Sequence, residues 1–337
     1  MTKNVTIKDI AREAGVSIAL VSFVMNNRIE ANGKQKYRVS ELTKQKILDV
    51  AKRMNYQPSS AARMLRQGRT RVIGVILSDL SNIFYGQIAK NLENIIYQNG
   101  YTALFSSTEE DPERFGRLLQ LSIARDVEGF IIVPPAGSAE YVEKLMVGDR
   151  PFVIIDRYFP PHKDKVPSVL VDNVGAMHMA IGNLRKQGAT KIAMASYSMR
   201  ISSMKDRESS FREELGDTAP IFYLGFDSVE ADAEKAADEI IARGIDGLVT
   251  ASNVPGVALI KALTRRGIRI QQDIHMVGFD FSNVYDLFTP AIPHIQQPLE
   301  EIAKESADYL FRLIDMRENG EDYHSVTDTI YLNAQLI

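Results

Sequence analysis

From Val72 onward the chain alternates short apolar runs with stretches of helical period, and it does so in two series. VIGVIL (72–77), YTALFS (101–106), VEGFIIV (127–133) and FVII (152–155) are separated by amphipathic stretches at about 83–99, 111–124 and 138–147. SVLVD (168–172), KIAMAS (191–196), IFYL (221–224), DGLVT (246–250) and IHMVGFD (274–280) follow in the same manner. Strands of this kind, each followed by a helix, build parallel sheets covered on both faces. Two series imply two doubly wound α/β subdomains. Pro160, Pro161 and Pro167 crowd the segment between Ile155 and Ser168, which is expected to cross from one to the other. Further crossovers are expected near 289–298 and 319–327, with a helix at about 299–317 returning to the first subdomain. The expected core is therefore 71–337, with lobe 1 about 71–160 plus 298–325 and lobe 2 about 168–290 plus 328–337.

Ahead of this core the charge changes sign. Residues 1–71 hold 15 Lys or Arg against 5 Asp or Glu, a net +10, whereas residues 72–337 hold 25 against 38, a net −13. A basic head on an acidic body points to a polyanionic partner at one end of the molecule, with a merely solvated basic segment as the plain alternative. The chain has no cysteine, which excludes disulfides, zinc ribbons and thiol nucleophiles. Met1 to Thr6 has no apolar stretch behind its charge, and no apolar run is long enough to span a bilayer. A cytoplasmic protein without a membrane partner is expected.

The head reads TIKDIAREAGVSIALVSFVMN from Thr6 to Asn26. Thr6 can cap a helix whose apolar face is Ile7, Ile10, Ala11 and Ala14, and Ser17 can cap a second with Leu20, Val21 and Val24 inward. Ala11, Gly15 and Val21 have helix-turn-helix spacing: a small residue lets the helices approach, Gly permits the turn, and Val locks the second helix on the first. A third helix is expected from about Ser40 to Met54, with Leu42, Ile47, Val50, Ala51 and Met54 inward. The same pattern also fits an ordinary three-helix core, but the positive charge favours DNA. Pro58 breaks the third helix, and Ser59 to Gly68 is basic with few core residues. Such a linker would be marginal as an isolated helix and suits one that orders on DNA.

VTIKDIAREAGVS (5–17), the Asn55-Tyr56-x-Pro58-x-x-x-Ala62-x-x-Leu65 segment, and Gly68-Arg69-Thr70-Arg71-x-Ile73-Gly74-Val75-Ile76 occur in order. They resemble the lactose-repressor/galactose-repressor (LacI/GalR) family of bacterial transcription regulators. The resemblance covers the whole chain and is most specific in residues 5–78. It implies a helix-turn-helix DNA-binding domain (1–58), a hinge helix or linker (59–70) and a periplasmic-binding-protein-like effector-binding and dimerisation core (71–337). It places Ser17, Ile18, Ala19, Ser22 and Phe23 toward bases or phosphates in the major groove, with Thr6, Asn26 and Tyr56 among the DNA contacts. Leu65 matches a leucine that wedges into a central base step from the minor groove, beside Ala62, and Ser59 and Ser60 match hinge positions near the backbone. Core packing is the plain alternative for Leu65.

Two departures bear on operator choice. Many family members have Arg where this chain has Phe23; Phe cannot read a guanine edge but can touch a thymine methyl. The loop from Asn27 to Val39 is longer than is usual and carries Arg28, Lys34, Lys36 and Arg38. Added phosphate contacts are expected of it, with a solvated loop as the alternative.

In doubly wound folds ligands bind at the carboxyl ends of the strands, here in the cleft between lobes. That rule selects Asp79, Asn82 and Phe84 after the first strand, Asp156 and Arg157 before the expected crossover, Asp172 and Asn173 after it, and Asp280. The resemblance adds Arg207 and Gln297 and matches Asp280 to a binding Asp. It commonly has Asn-Asp where this chain has Ser252-Asn253, a change that keeps polar recognition and loses a negative charge. Arg can bridge vicinal hydroxyls, carboxylates accept from sugar hydroxyls, and Phe84 can stack on a sugar face. Helix capping and Arg–carboxylate pairing are the plain alternatives at these positions.

Enzyme motifs are missing: no Walker A, Gly-x-Gly-x-x-Gly, His-Glu-x-x-His or nucleophile elbow occurs, and the five His lack ligand spacing. A transport-type sugar receptor would share the core but not the basic head. The expectation is a non-enzymatic transcriptional regulator, a repressor, that needs no cofactor. It would bind double-stranded operator DNA as a homodimer under the control of a sugar or sugar derivative. With no heptad segment after Ile337, a dimer is favoured over a tail-assembled tetramer.

Overall fold

A computed structural model describes residues 5–25, 39–56, 69–160 and 163–337. By internal contacts the chain divides into Met1–Thr70 and Arg71–Ile337.

In the first unit, α1 (Ile7–Ala14), α2 (Ile18–Met25) and α3 (Glu41–Arg53) enclose a small core of Ile10, Ala11, Ala14, Val21, Ile47, Val50 and Ala51. The Thr6 amide and hydroxyl both donate to the Asp9 carboxylate, at 3.0 and 2.7 Å, which fixes the start of α1. Gly15 ends the helix at φ 66°, a left-handed conformation that suits Gly. Ser17 Oγ accepts from the Leu20 amide at 3.2 Å, and Ser40 Oγ accepts from the Thr43 amide at 3.2 Å, so both hydroxyls cap as their positions suggest. Leu42 is a correction: it is 86% exposed, not inward. At about 100° per residue it stands about 140° around α3 from Ile47 and about 180° from Ala51.

In the second unit, β1 (Val72–Leu77), α4 (Ile83–Gln98), β2 (Thr102–Ser107), α5 (Pro112–Ile123), β3 (Gly129–Ile132), α6 (Ala139–Met146), β4 (Phe152–Ile155) and β5 (Ser168–Val171) come first. After them come α7 (Asn173–Lys186), β6 (Ile192–Tyr197), α8 (Ser202–Leu215), β7 (Ile221–Leu224), α9 (Val229–Ala242), β8 (Gly247–Thr250), α10 (Asn253–Arg265) and β9 (His275–Phe279). The chain closes with β10 (His294–Gln296), α11 (Leu299–Glu318), β11 (Thr329–Leu332) and β12 (Gln335–Leu336). Two sheets result, ordered β11-β5-β4-β3-β1-β2 and β12-β10-β9-β8-β6-β7. All pairs are parallel except β10 with β12. The central strands are apolar and buried throughout, as in β3, β4 and β8, because helices cover both faces.

The expected lobe boundaries need correction. Ser168–Val171 does not open lobe 2: it pairs with β4 (Ile154↔Ser168, Ile155↔Val169) and on its other side with β11 (Thr329↔Ser168 to Leu332↔Val171). The Pro-rich segment 160–167 is thus a connection within lobe 1, and the first crossover comes after Val171, where α7 packs on β8, β9 and β10. The second lies where expected, between β10 and α11, since α11 packs on α4, β3 and β4. The third lies between β11 and β12, not at 319–327. Proline marks a loop, but which sheet the next strand joins is decided by pairing distant in sequence.

Gly278 of β9 is needed for a close approach two residues before Asp280. A Cβ there would meet the Tyr285 ring at 2.5 Å, and that ring is fully buried. Gly278→Ala is expected to destabilise the core by about 1–3 kcal/mol through overpacking, seen as a lower thermal unfolding midpoint.

Candidate functional site

The exposed face of the first unit carries much of what the sequence singles out. Thr6, Ser17, Ile18 and Ala19 are exposed, Ser22 and Tyr56 half-buried. Ile18, at the start of α2, leaves 48% of its surface in water, an unusual position for a β-branched apolar residue in a small core. Phe23 is a correction: the residue is only 9% exposed and does not stand on the open face. A ring without a hydrogen-bonding group gains by leaving water, and Phe23 is one of two buried residues of α2. Asn26, Ser59, Ser60, Ala62 and Leu65, and the loop 27–38, lie outside the described residues. Arg12 pairs with Asp9 at 2.5 Å and Arg53 with Glu13 at 2.6 Å on the surface. Such exposed pairs add little stability.

In the second unit the strand ends converge. Asp79, Asn82, Phe84, Asp156, Arg157, Arg207, Ser252, Asp280 and Gln297 all line one cleft between the lobes. Asn253 does not line it. Its amide bridges the lobes instead, donating from Nδ2 to Asn82 Oδ1 at 3.3 Å and to Phe281 O at 3.4 Å. Asp172 caps α7, accepting from the Gly175 amide at 3.0 Å. Asn173 lies beneath the cleft and orients Arg207.

Arg207 is 2% exposed and held in place from three sides. Its Nε donates to Asn173 Oδ1 at 2.8 Å, its Nη1 to Ala251 O at 2.5 Å, and its guanidinium lies 3.6 Å from the Phe279 ring centroid. Burial pulls its pKa below the ordinary value, partly offset by Asp280. Gln297 Nε2 donates to Asp280 Oδ1 at 2.5 Å, and Gln297 Oε1 is buried without a partner. Asp156 and Asp280 end β4 and β9 in left-handed conformations, φ 69° and 65°. Asp tolerates these better than most side chains, and the turn aims each carboxylate along the cleft wall.

Burial pushes the Asp280 carboxyl up to about 6, against the opposing pull of Arg207 and Gln297. The folded protein therefore holds a proton there that the unfolded chain, with its ordinary 3.8, releases earlier. Stability should fall as pH rises between those values, by up to about 3 kcal/mol for one fully buried carboxyl. Asp280→Asn, which keeps an oxygen for Gln297, should flatten that slope relative to the parent in urea unfolding curves across the same pH window.

Strand-end reasoning missed several lining residues. Tyr85, Glu110, Tyr197 and Phe226 also face the cleft. Glu110 follows β2, Tyr197 ends β6 and Phe226 follows β7, so the same rule applied to those strands would have found them. Tyr197 and Phe226 rings stand 6.0 Å apart, and Phe84 meets Tyr85 edge-on at 4.9 Å. Between the lobes the Tyr158 amide donates to Ser202 Oγ at 2.9 Å and its hydroxyl to Asp206 Oδ1 at 3.0 Å, which ties lobe 1 to α8.

A helix pair of this form reads duplex DNA, and a buried polar cleft between α/β lobes answers to a small molecule; a chain holding both is an effector-regulated DNA-binding regulator. Comparison with known proteins agrees. Residues 6–59 match the model for bacterial regulatory proteins of the lacI family, and residues 181–331 match a periplasmic binding protein-like domain. The chain is 29% identical to the ribose operon repressor of Halalkalibacterium halodurans, over 93% of this chain and 91% of that one. It is 28% identical to the HTH-type transcriptional repressor PurR of Vibrio cholerae, over 93% of each. The crystal structure of the lac repressor dimer bound to operator and the anti-inducer ONPF superposes with a TM-score of 0.84, at 22% identity, over 99% of this chain and 98% of that one. The chain thus carries a lacI-family DNA-binding domain and a periplasmic-binding-like domain: it is a DNA-binding transcriptional regulator under effector control, not an enzyme. Among the described residues no helix is long and apolar enough to cross a membrane.

Proposed function

We propose that this protein is a cytoplasmic, homodimeric repressor whose operator affinity is set by a sugar or sugar derivative in the core cleft. The observation that carries this reading is the composition of the cleft wall. Fixed donors and acceptors from both lobes (Asp79, Asn82, Arg207, Ser252, Asp280) surround aromatic rings (Phe84, Tyr197, Phe226). Hydroxyl-bearing rings are recognised by such sets: polar groups grip the edge and an aromatic surface takes the apolar face. The relatives named as a ribose operon repressor and as the HTH-type transcriptional repressor PurR support a repressor.

Two heads would place α2 of each protomer in successive major grooves of a near-palindromic site, with Ser17, Ile18, Ala19 and Ser22 toward the DNA. The hinge, 59–70, would sit at the centre, with Leu65 as the wedge. Effector binding would favour one arrangement of the lobes, and the hinges would transmit that preference to DNA. Selection of bound duplexes from a random pool, with and without a panel of sugars, tests the reading; no enrichment of a two-fold symmetric site would sink it. Leu65→Ala is expected to weaken specific binding about tenfold or more while leaving effector affinity unchanged, as measured by operator titration and calorimetry.

A further inference from the structure

Arg157 lines the same cleft as Arg207, yet its binding edge is already taken. Its Nη1 donates to Glu110 Oε2 and its Nη2 to Glu110 Oε1, both at 2.9 Å, a parallel two-point pair. Nη2 also donates to the Tyr85 hydroxyl at 2.9 Å, and Nε approaches Asp156 Oδ2 at 3.4 Å. The Ser78 hydroxyl donates to Glu110 from behind. The two side chains are 4% and 11% exposed. Glu109 and Glu110 both adopt positive φ, 52° and 58°, so the backbone is bent against its usual preference to bring the Glu110 carboxylate here.

We propose that Glu110 sets the charge class of the effector: it serves as a resident counter-ion on Arg157, so that the cleft takes an uncharged polyhydroxylated molecule and rejects its phosphorylated or carboxylated counterparts. This rests on the reading that the cleft holds the effector. A guanidinium fork is the protein group best matched to phosphate and carboxylate, and Glu110 occupies that fork with the geometry either ligand would use. Burial alone would raise the Glu110 carboxyl; Arg157 and Ser78 outweigh it and hold it ionised. The cleft wall carries Asp79, Glu110, Asp156 and Asp280 against Arg157 and Arg207, an excess of carboxylates over guanidinium groups. A sugar hydroxyl can donate to those carboxylates, whereas an ionised phosphate offers acceptors only and adds like charge. Selectivity built by placing repulsion against the wrong ligand is a general device, and here it would come from one side chain.

The test uses full-length protein and calorimetric titration with matched pairs: ribose and ribose 5-phosphate, glucose and glucose 6-phosphate, galactose and galactose 6-phosphate. The expected result is that at least one free sugar binds about tenfold or more tightly than its own ester. Glu110→Gln and Glu110→Ala should narrow that gap by about tenfold or more, because Arg157 is then free to grip the ester; Arg157→Gln added to Glu110→Gln should remove the gain. The wild-type ratios stand whether or not the variants fold. An ester that binds the wild type as tightly as its sugar overturns the charge assignment and leaves the cleft reading intact. A gap unchanged in well-folded Glu110→Gln also overturns it. If no member of any pair binds, the proposed function fails and this inference with it.

Discussion

Residues 71–337 produced without the head should bind no duplex at concentrations where the full chain is saturated, a loss of about a thousandfold or more, while effector affinity stays within about twofold. The charge arithmetic is decisive. Residues 71–337 carry 26 basic and 38 acidic side chains, a net −12, so removing the head leaves a body that repels a polyanion. The cleft residues all lie within Arg71–Ile337, and so do the core clusters that support them. Electrophoretic mobility shift on selected duplex and calorimetry with effector, run on both forms, check both halves. Duplex retarded by the truncated body would place the DNA surface elsewhere.

Arg207→Ala should abolish effector response and leave operator binding in place. Each charge-assisted hydrogen bond is worth about 1.5–3 kcal/mol, so loss of two to the effector weakens it by about a hundredfold or more. Arg207 can make such bonds because Asn173 and Ala251 fix its plane and Phe279 supports its face. Its removal also leaves Asn173 Oδ1 and Ala251 O without their partner, so some stability is lost as well. Arg207→Lys separates these effects: it retains charge and most of the volume but not the planar fork. Both variants should bind operator as the effector-free parent does and show no response to effector. If Arg207→Lys binds effector like the parent, Arg207 is a structural ion only.

How much of this was legible beforehand depends on the range of the interaction involved. The strands of the core could be read because burial on both faces leaves a short continuous apolar run, as in VIGVIL and GFII, and the helices because one buried face leaves a helical period. The head was legible for the same reason, its caps at Thr6, Ser17 and Ser40 being local hydrogen bonds. The lobe to which Ser168–Val171 belongs was not. That strand pairs with Thr329–Leu332, more than 150 residues away, and nothing in SVLV encodes the partner. Leu42 and Phe23 failed in opposite senses, since apolar character alone says neither which side of a short helix is covered nor which ring stays accessible. In the cleft, strand-end placement brought six of its eight positions to one wall, Asp172 and Asn173 being the exceptions, and the family resemblance supplied Arg207, Gln297 and Ser252. It missed Glu110 because a carboxylate after an edge strand looks like ordinary surface charge until Arg157 is seen to meet it.

The central claim is that the cleft and the operator-binding head are linked, and linkage must be reciprocal. Operator affinity of the full chain, measured by fluorescence anisotropy on the selected duplex at fixed salt with and without saturating effector, tests this most directly. The account predicts a change of about tenfold or more, together with an equal factor in effector affinity when operator is saturating. Operator affinity unchanged by an effector that calorimetry shows to be bound would contradict it.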